Sequence, residues 1–125
     1  MIKIDVNNAL TLQKLVIDLT GGTPGIRDNA LLDSALNSAF QCFDNKELYP
    51  SIEEKGARLG FNLVSNHAFV DGNKRIGVLV MLSFLEINGI KISCTDEELV
   101  WVGLSLADGS LDYEGLLVWI KRHKA

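Results

Sequence analysis

Nine consecutive residues, His67-Ala68-Phe69-Val70-Asp71-Gly72-Asn73-Lys74-Arg75, put a proton acceptor, a carboxylate, a glycine turn and two cations side by side. Histidine exchanges a proton near neutral pH, so His67 could deprotonate an attacking hydroxyl. Asp71 would be a poor phosphate ligand alone. It makes sense if Mg²⁺ lies between carboxylate and phosphate oxygens, since Mg²⁺ prefers one or two carboxylates plus substrate oxygens. Gly72 lets a backbone approach an anion closely, and Lys74 and Arg75 add the positive charge that such an anion needs. Together these are the parts of a site that binds a phosphate chain and moves one piece of it. Phe69, between the polar positions, is expected to enter the core and fix the loop.

The element that must position them comes next. Ile76 to Ile87 reads Ile-Gly-Val-Leu-Val-Met-Leu-Ser-Phe-Leu-Glu-Ile, apolar nearly all round. Such a helix is buried, and this one is too short to span a bilayer. Asn88-Gly89 supplies a C-terminal stop, and the helix is expected to begin near Asn73 with Gly72 just ahead. A helix start carries unpaired N–H groups and the positive end of the dipole, which favours acidic residues in the first turn. Lys74 and Arg75 are therefore an electrostatic fault unless an anion occupies the site. Judged singly, a histidine, an Asp-Gly turn and a Lys-Arg pair are each ordinary. Their convergence on the mouth of one buried helix is the signal.

These residues resemble the signature of the Fic/Doc family, His-x-Phe-x-Asp-Gly-Asn-Lys-Arg, in its Doc form. Gly21-Gly22-Thr23-Pro24-Gly25-Ile26-Arg27-Asp28 is similar to the Doc loop after the first helix, and Asn66 through Ile90 to the Doc central helix and its exit. The resemblance implies His67 as general base, Asp71 as the metal carboxylate, and Gly72, Asn73, Lys74 and Arg75 around the phosphates of ATP. Fic enzymes that transfer AMP carry a second glycine where this chain has Lys74; a lysine crowds that pose and offers a point charge instead. In Doc-type proteins the implication is ATP bound in the reversed sense, with Mg²⁺, and phosphorylation of elongation factor Tu at a threonine. Gly72 stands where some Doc proteins have alanine, and Ala68 replaces a proline common in Fic proteins.

The implied role is the toxin of a toxin–antitoxin pair, restrained by a Phd-like antitoxin whose disordered tail folds onto an apolar groove. A Fic-type AMP transferase is the alternative, and a catalytically inactive binding module that kept the signature as a helix cap is a third reading. Ser110-Leu111-Asp112-Tyr113-Glu114-Gly115 matches the loose inhibitory pattern of self-inhibited Fic proteins, in which the glutamate would have to reach Arg75. Glu114 suits a helix N-terminus equally well, and that ordinary reading is preferred.

The rest of the chain reads as helices. Leu12, Leu15, Val16 and Leu19 follow helical spacing up to Gly21-Gly22. Asp28 can cap a second helix carrying Leu32, Ala35, Leu36 and Ala39. Ser51-Ile52-Glu53-Glu54 is a capping box opening a third, with Ala57, Phe61 and Val64 inward and Gly56 and Gly60 on one face where another helix could come close. Thr95-Asp96-Glu97-Glu98 is a second capping box before Leu99, Val102 and Leu106. The last helix uses Tyr113, Leu116, Leu117 and Ile120, and Ile90 to Cys94 is a short extended link. The acidic run Asp44 to Glu54 and the loop Gly21 to Asp28 could flank the site's opening. The expectation is an all-α bundle of about six helices around a buried central helix, one domain over 1–125.

Composition bounds the rest. A chain of 125 residues can bury a proper core, and a net charge of −4 argues against direct nucleic-acid binding through phosphate-backbone contacts. Met1-Ile2-Lys3-Ile4-Asp5 lacks the pattern of a signal peptide and no run is long enough for a membrane span, so the expected location is the cytoplasm. Cys42 and Cys94 form no metal-ligand pattern and read as small buried side chains. His123, at the end of the last helix, reads as a charge complementing that helix's C-terminus.

Overall fold

The apolar segment after Gly72 folds as a helix that packs against three others. The computed structural model describes all 125 residues. In chain order the elements are α1 (Val6–Thr20), α2 (Asn29–Ser38), the strands β1 (Cys42–Phe43) and β2 (Lys46–Glu47), α3 (Ile52–Asn66), α4 (Asn73–Ile87), α5 (Asp96–Asp108) and α6 (Tyr113–Arg122). The fold is all-α, with six helices and one two-stranded hairpin. Helix α4 packs against α3, α5 and α1, while α2 and α6 complete the bundle by packing on α3. Ile76, Val80, Met81, Phe84 and Leu85 of α4 are wholly buried.

The α3–α4 contact is close because glycines lie on both sides of it. A methyl group at Gly56 would meet Leu85 at 2.6 Å, and one at Gly60 would meet Met81 at 2.8 Å. Gly77 reciprocates from α4: a Cβ there would stand 2.5 Å from Val64 Cγ2 and 3.0 Å from the Val64 backbone nitrogen. The approach anticipated at Gly56 and Gly60 is thus made by α4, and Gly77 is its third member. Even alanine at 77 would push the start of α4 away from the end of α3.

At its far end α4 stops as Asn88-Gly89 suggested. Gly89 takes φ +94°, and the Ile90 N–H returns to the Leu85 carbonyl at 2.8 Å. Asn88 also binds both backbone groups of Ile2, tying the N-terminal segment to α4. Residues 90–94 are the extended link, with an isolated bridge from Ile92 to Lys124. The His123 ring contacts the Trp119 carbonyl and Glu98, both at 2.7 Å, so it caps α6 and also joins α6 to α5.

Three expectations need correction. The buried face of α1 is Ala9, Gln13, Val16 and Ile17, whereas Leu15 and Leu19 are exposed, at 54% and 86%. Helical spacing alone did not say which stripe faces inward. Overlapping the start of the acidic run a hairpin forms, pairing Cys42 with Glu47 and Phe43 with Lys46 around Asp44 and Asn45, both at positive φ. Such a two-residue turn needs left-handed conformations that Asp and Asn tolerate. Cys42 lies on that hairpin and is exposed rather than buried; Cys94 is half-buried, and burial foremost raises its thiol pKa. The hairpin is anchored by Lys55 of α3, itself buried, whose Nζ reaches Glu47 at 3.1 Å and the Tyr49 carbonyl.

Candidate functional site

The signature forms the loop from the end of α3 to the start of α4. His67 ends α3 in the left-handed region, φ 51° and ψ 45°. For a residue with a Cβ that conformation costs on the order of 1 kcal/mol, and it persists only where the surroundings impose it. Here the neighbouring loop imposes it. The Arg27 guanidinium donates to the His67 carbonyl at 2.7 Å and to the Asn66 carbonyl at 3.3 Å, taking up the last carbonyls of α3. The Arg27 and Asp28 N–H groups both donate to the Ala68 carbonyl, at 2.8 and 3.1 Å. Val70 donates to Gly25, and Ile26 and Phe69 form an antiparallel bridge. The segment 22–28 is therefore a loop clamped along the signature through the single Ile26–Phe69 bridge and the bonds around it, more than a surface loop flanking it.

Phe69 is buried, as expected, and its backbone is held from below. Asn73 accepts from the Phe69 N–H and donates to the Phe69 carbonyl, each at 3.0 Å. Both ends of the Asn73 amide are thereby committed to shaping the loop. Asp71 is exposed; one carboxylate oxygen accepts from the Thr23 N–H at 2.8 Å, and the other has no partner within the chain. Gly22, at φ +117°, comes so close that a Cβ there would lie 3.4 Å from the carboxylate oxygen that Thr23 holds. Among acidic, histidine and cysteine side chains no group of three gathers that could cage a metal. The donor set suits a cation held by one carboxylate oxygen and completed by phosphate oxygens, which is how Mg²⁺ is ordinarily bound beside nucleotides.

Helix α4 begins at Gly72, φ +81°, with no side chain capping its N-terminal amides and no acid in the first turn. Only glycine takes that φ freely. Lys74 and Arg75 are exposed, and neither belongs to any of the three ion pairs of the molecule, which are Lys55–Glu47, His123–Glu98 and Lys124–Glu53. The mouth of α4 thus carries free amides, the dipole's positive end and two unpaired cations. His67 borders a cleft of about 370 Å³ between the end of α3 and the α5–α6 turn, with Phe61, Ser65, Leu106, Asp108 and Asp112 on its walls. Glu114 lies in the first turn of α6, behind the Asp112 cap, and makes no ion pair with Arg75.

The structure therefore brings His67, Asp71, Gly72, Asn73, Lys74 and Arg75 onto one loop and one helix mouth. It adds Thr23 and Arg27, which the sequence marks only as members of the loop 21–28 with no role of their own, and Gln13, which it does not single out. Gln13 carried a faint signal, a polar side chain in helical register with Ala9 and Val16.

The profile of the Fic/DOC family matches residues 3–85, more than half of the chain. A curated protein described as Toxin Doc, from Mycolicibacterium smegmatis, is 38% identical over 73 residues, or 58% of this chain. The matched stretch spans 56% of that relative's own length. The profile match takes in α1, the clamping loop 22–28, α3, the signature and most of α4, and on that ground the chain belongs to the Fic/Doc family.

Proposed function

We propose that this protein is the toxin of a toxin–antitoxin pair, a kinase that transfers the terminal phosphate of ATP to a threonine hydroxyl of elongation factor Tu, and that a Phd-like antitoxin restrains it. The observation that carries the reading is the uncapped mouth of α4, where free amides meet Lys74 and Arg75 with no carboxylate to pair them. A site so charged suits the end of a phosphate chain, where negative charge is densest. Lys74 stands in the place of the glycine that AMP-transferring Fic enzymes carry, which favours phosphate over AMP as the group moved. The name Toxin Doc belongs to a relative that matches over part of its length, and it supports the toxin role here.

In this reading His67 accepts the proton of the attacking hydroxyl, which enters along the cleft beside it. Lys74, Arg75 and the first amides of α4 stabilise negative charge as the phosphoryl group transfers. Asp71 would hold Mg²⁺, which when bound neutralises phosphate charge. Asn73 keeps the loop in shape through Phe69.

Mass spectrometry of elongation factor Tu after incubation with the protein, ATP and magnesium tests the proposal. One added phosphate, lost with His67→Ala, is the expected result. An AMP adduct would turn the assignment to AMP transfer. An unmodified factor, together with undiminished toxicity of a folded His67→Ala variant in cells, would leave an inactive binding module.

A further inference from the structure

One wholly buried polar side chain touches the site without belonging to the signature. Gln13 of α1 is fully buried and lies between the clamping loop and the start of α4. Its Oε1 accepts from the Gly25 N–H at 2.9 Å. Its Nε2 donates to the Gly25 carbonyl at 3.0 Å and to the Asp71 carbonyl at 3.2 Å. Three of its bonds thus converge on two backbones, 12 and 58 residues away in sequence.

Burying a primary amide is unfavourable unless its groups are paired, and apolar packing alone would be served better by leucine or methionine. The pairing here has a specific geometry. By holding Gly25 at both backbone groups, Gln13 fixes the loop whose Thr23 N–H grips one Asp71 carboxylate oxygen. By holding the Asp71 carbonyl, it fixes the other end of the same residue. The Asp71 side chain is therefore oriented from its backbone and from its carboxylate at once, with the second oxygen left free.

We propose that Gln13 is the positioning residue of this site, setting the direction in which Asp71 presents its free oxygen to a divalent cation. This rests on the reading of Asp71 as the metal carboxylate. Partners that orient a metal-binding carboxylate commonly matter nearly as much as the ligand itself. Gln13 acts through Asp71 and touches no substrate atom.

The test is calorimetric, on the full chain, with ATP titrated in the presence and absence of magnesium. Gln13→Met keeps the volume and removes all three bonds. Mg-ATP affinity is expected to fall by about 10- to 100-fold in this variant. Affinity for metal-free ATP, held by Lys74, Arg75 and the α4 amides, should not change. Gln13→Glu keeps the acceptor for Gly25 but loses the amide donors, and it serves should the methionine variant fail to fold; the same selective loss is expected. In an Asp71→Asn background neither substitution should weaken ATP further. Equal weakening with and without magnesium, or an undiminished cost in the Asp71→Asn background, makes Gln13 a core residue only and overturns the proposal. A parent protein that binds ATP equally with and without magnesium overturns the reading of Asp71, and the assignment of Gln13 falls with it.

Discussion

Helices α3 and α5 open in one way and α4 in another. Ser51 and Thr95 each accept an N–H from the third residue of their helix, Glu54 and Glu98 reach back to close capping boxes, and the first turns hold two and three carboxylates. Helices α1, α2 and α6 are capped by Asp5, Asp28 and Asp112. Only α4 begins on glycine, with lysine and arginine where the others carry acids or neutral residues. A capping box answers the orphan amides of a helix from within the chain, and acids in the first turn answer its dipole. The α4 end answers neither. A helix buried by apolar packing on three sides can leave its mouth unanswered, because burial and not capping holds it in place. The charge left over is then free for a ligand.

The comparison breaks most visibly at Arg75. If its guanidinium stabilises phosphoryl charge, Arg75→Ala should slow transfer by about 10²–10³-fold, the usual cost of losing one preorganised electrostatic donor. Its melting temperature should stay close to the parent's, since Arg75 is exposed and makes no ion pair. Arg122→Ala, in the last turn of α6, should change transfer little. Steady-state rates with saturating ATP separate the two, and similar losses from both would remove Arg75 from the site.

The reciprocal change lies on α5. Thr95→Ala removes the acceptor for the Glu98 N–H at 3.1 Å and should cost about 1 kcal/mol of stability. For a domain of this size that is a fall in Tm of about 4 °C. Transfer rate at a temperature where the variant is folded should be unaltered. A Thr95→Ala variant that loses ATP affinity in calorimetry would mean that the capped and uncapped ends are coupled, and that the contrast between them is not one of stability against binding.

How much of this was legible in sequence depends on where each interaction partner lies. The α4 mouth was readable because its parts are consecutive: Gly72, Lys74, Arg75 and the apolar run after them report on one local event. The caps at Asp28, Ser51 and Thr95 were readable for the same reason, each being a bond over three residues. The supports of the loop were not. Thr23 meets Asp71 across 48 residues, and Arg27 meets His67 across 40. No spacing rule encodes such pairings. In α1 the exposed Leu15 and Leu19 misled, because hydrophobicity marks a stripe as apolar without saying what covers it. The hairpin was invisible for another reason: strands of two exposed residues carry no alternation to detect, and only Asp44-Asn45 marked the turn.

The smallest effect concerns acid, and it separates the two kinds of helix start once more. At α5 the cap includes a titrating group: Glu98 Oε1 accepts from the Thr95 N–H at 3.2 Å, and Oε2 lies 2.7 Å from His123 Nε2. The Thr95 backbone bond, first, and the His123 contact hold its carboxyl below the ordinary value of 4.5. A carboxyl more acidic folded than unfolded stabilises the protein above its unfolded value, and the contribution is lost as pH falls through the folded one. The parent should therefore melt slightly above Glu98→Gln at neutral pH, and the gap should close well below pH 4.5. The α4 mouth has no acid in its first turn, so no matching change should arise there. Thermal melts of parent and variant across that range check it. A gap of the same size at both ends of the range would mean that the charge of Glu98 adds nothing to the cap, and that the side chain serves α5 through its hydrogen bonds alone.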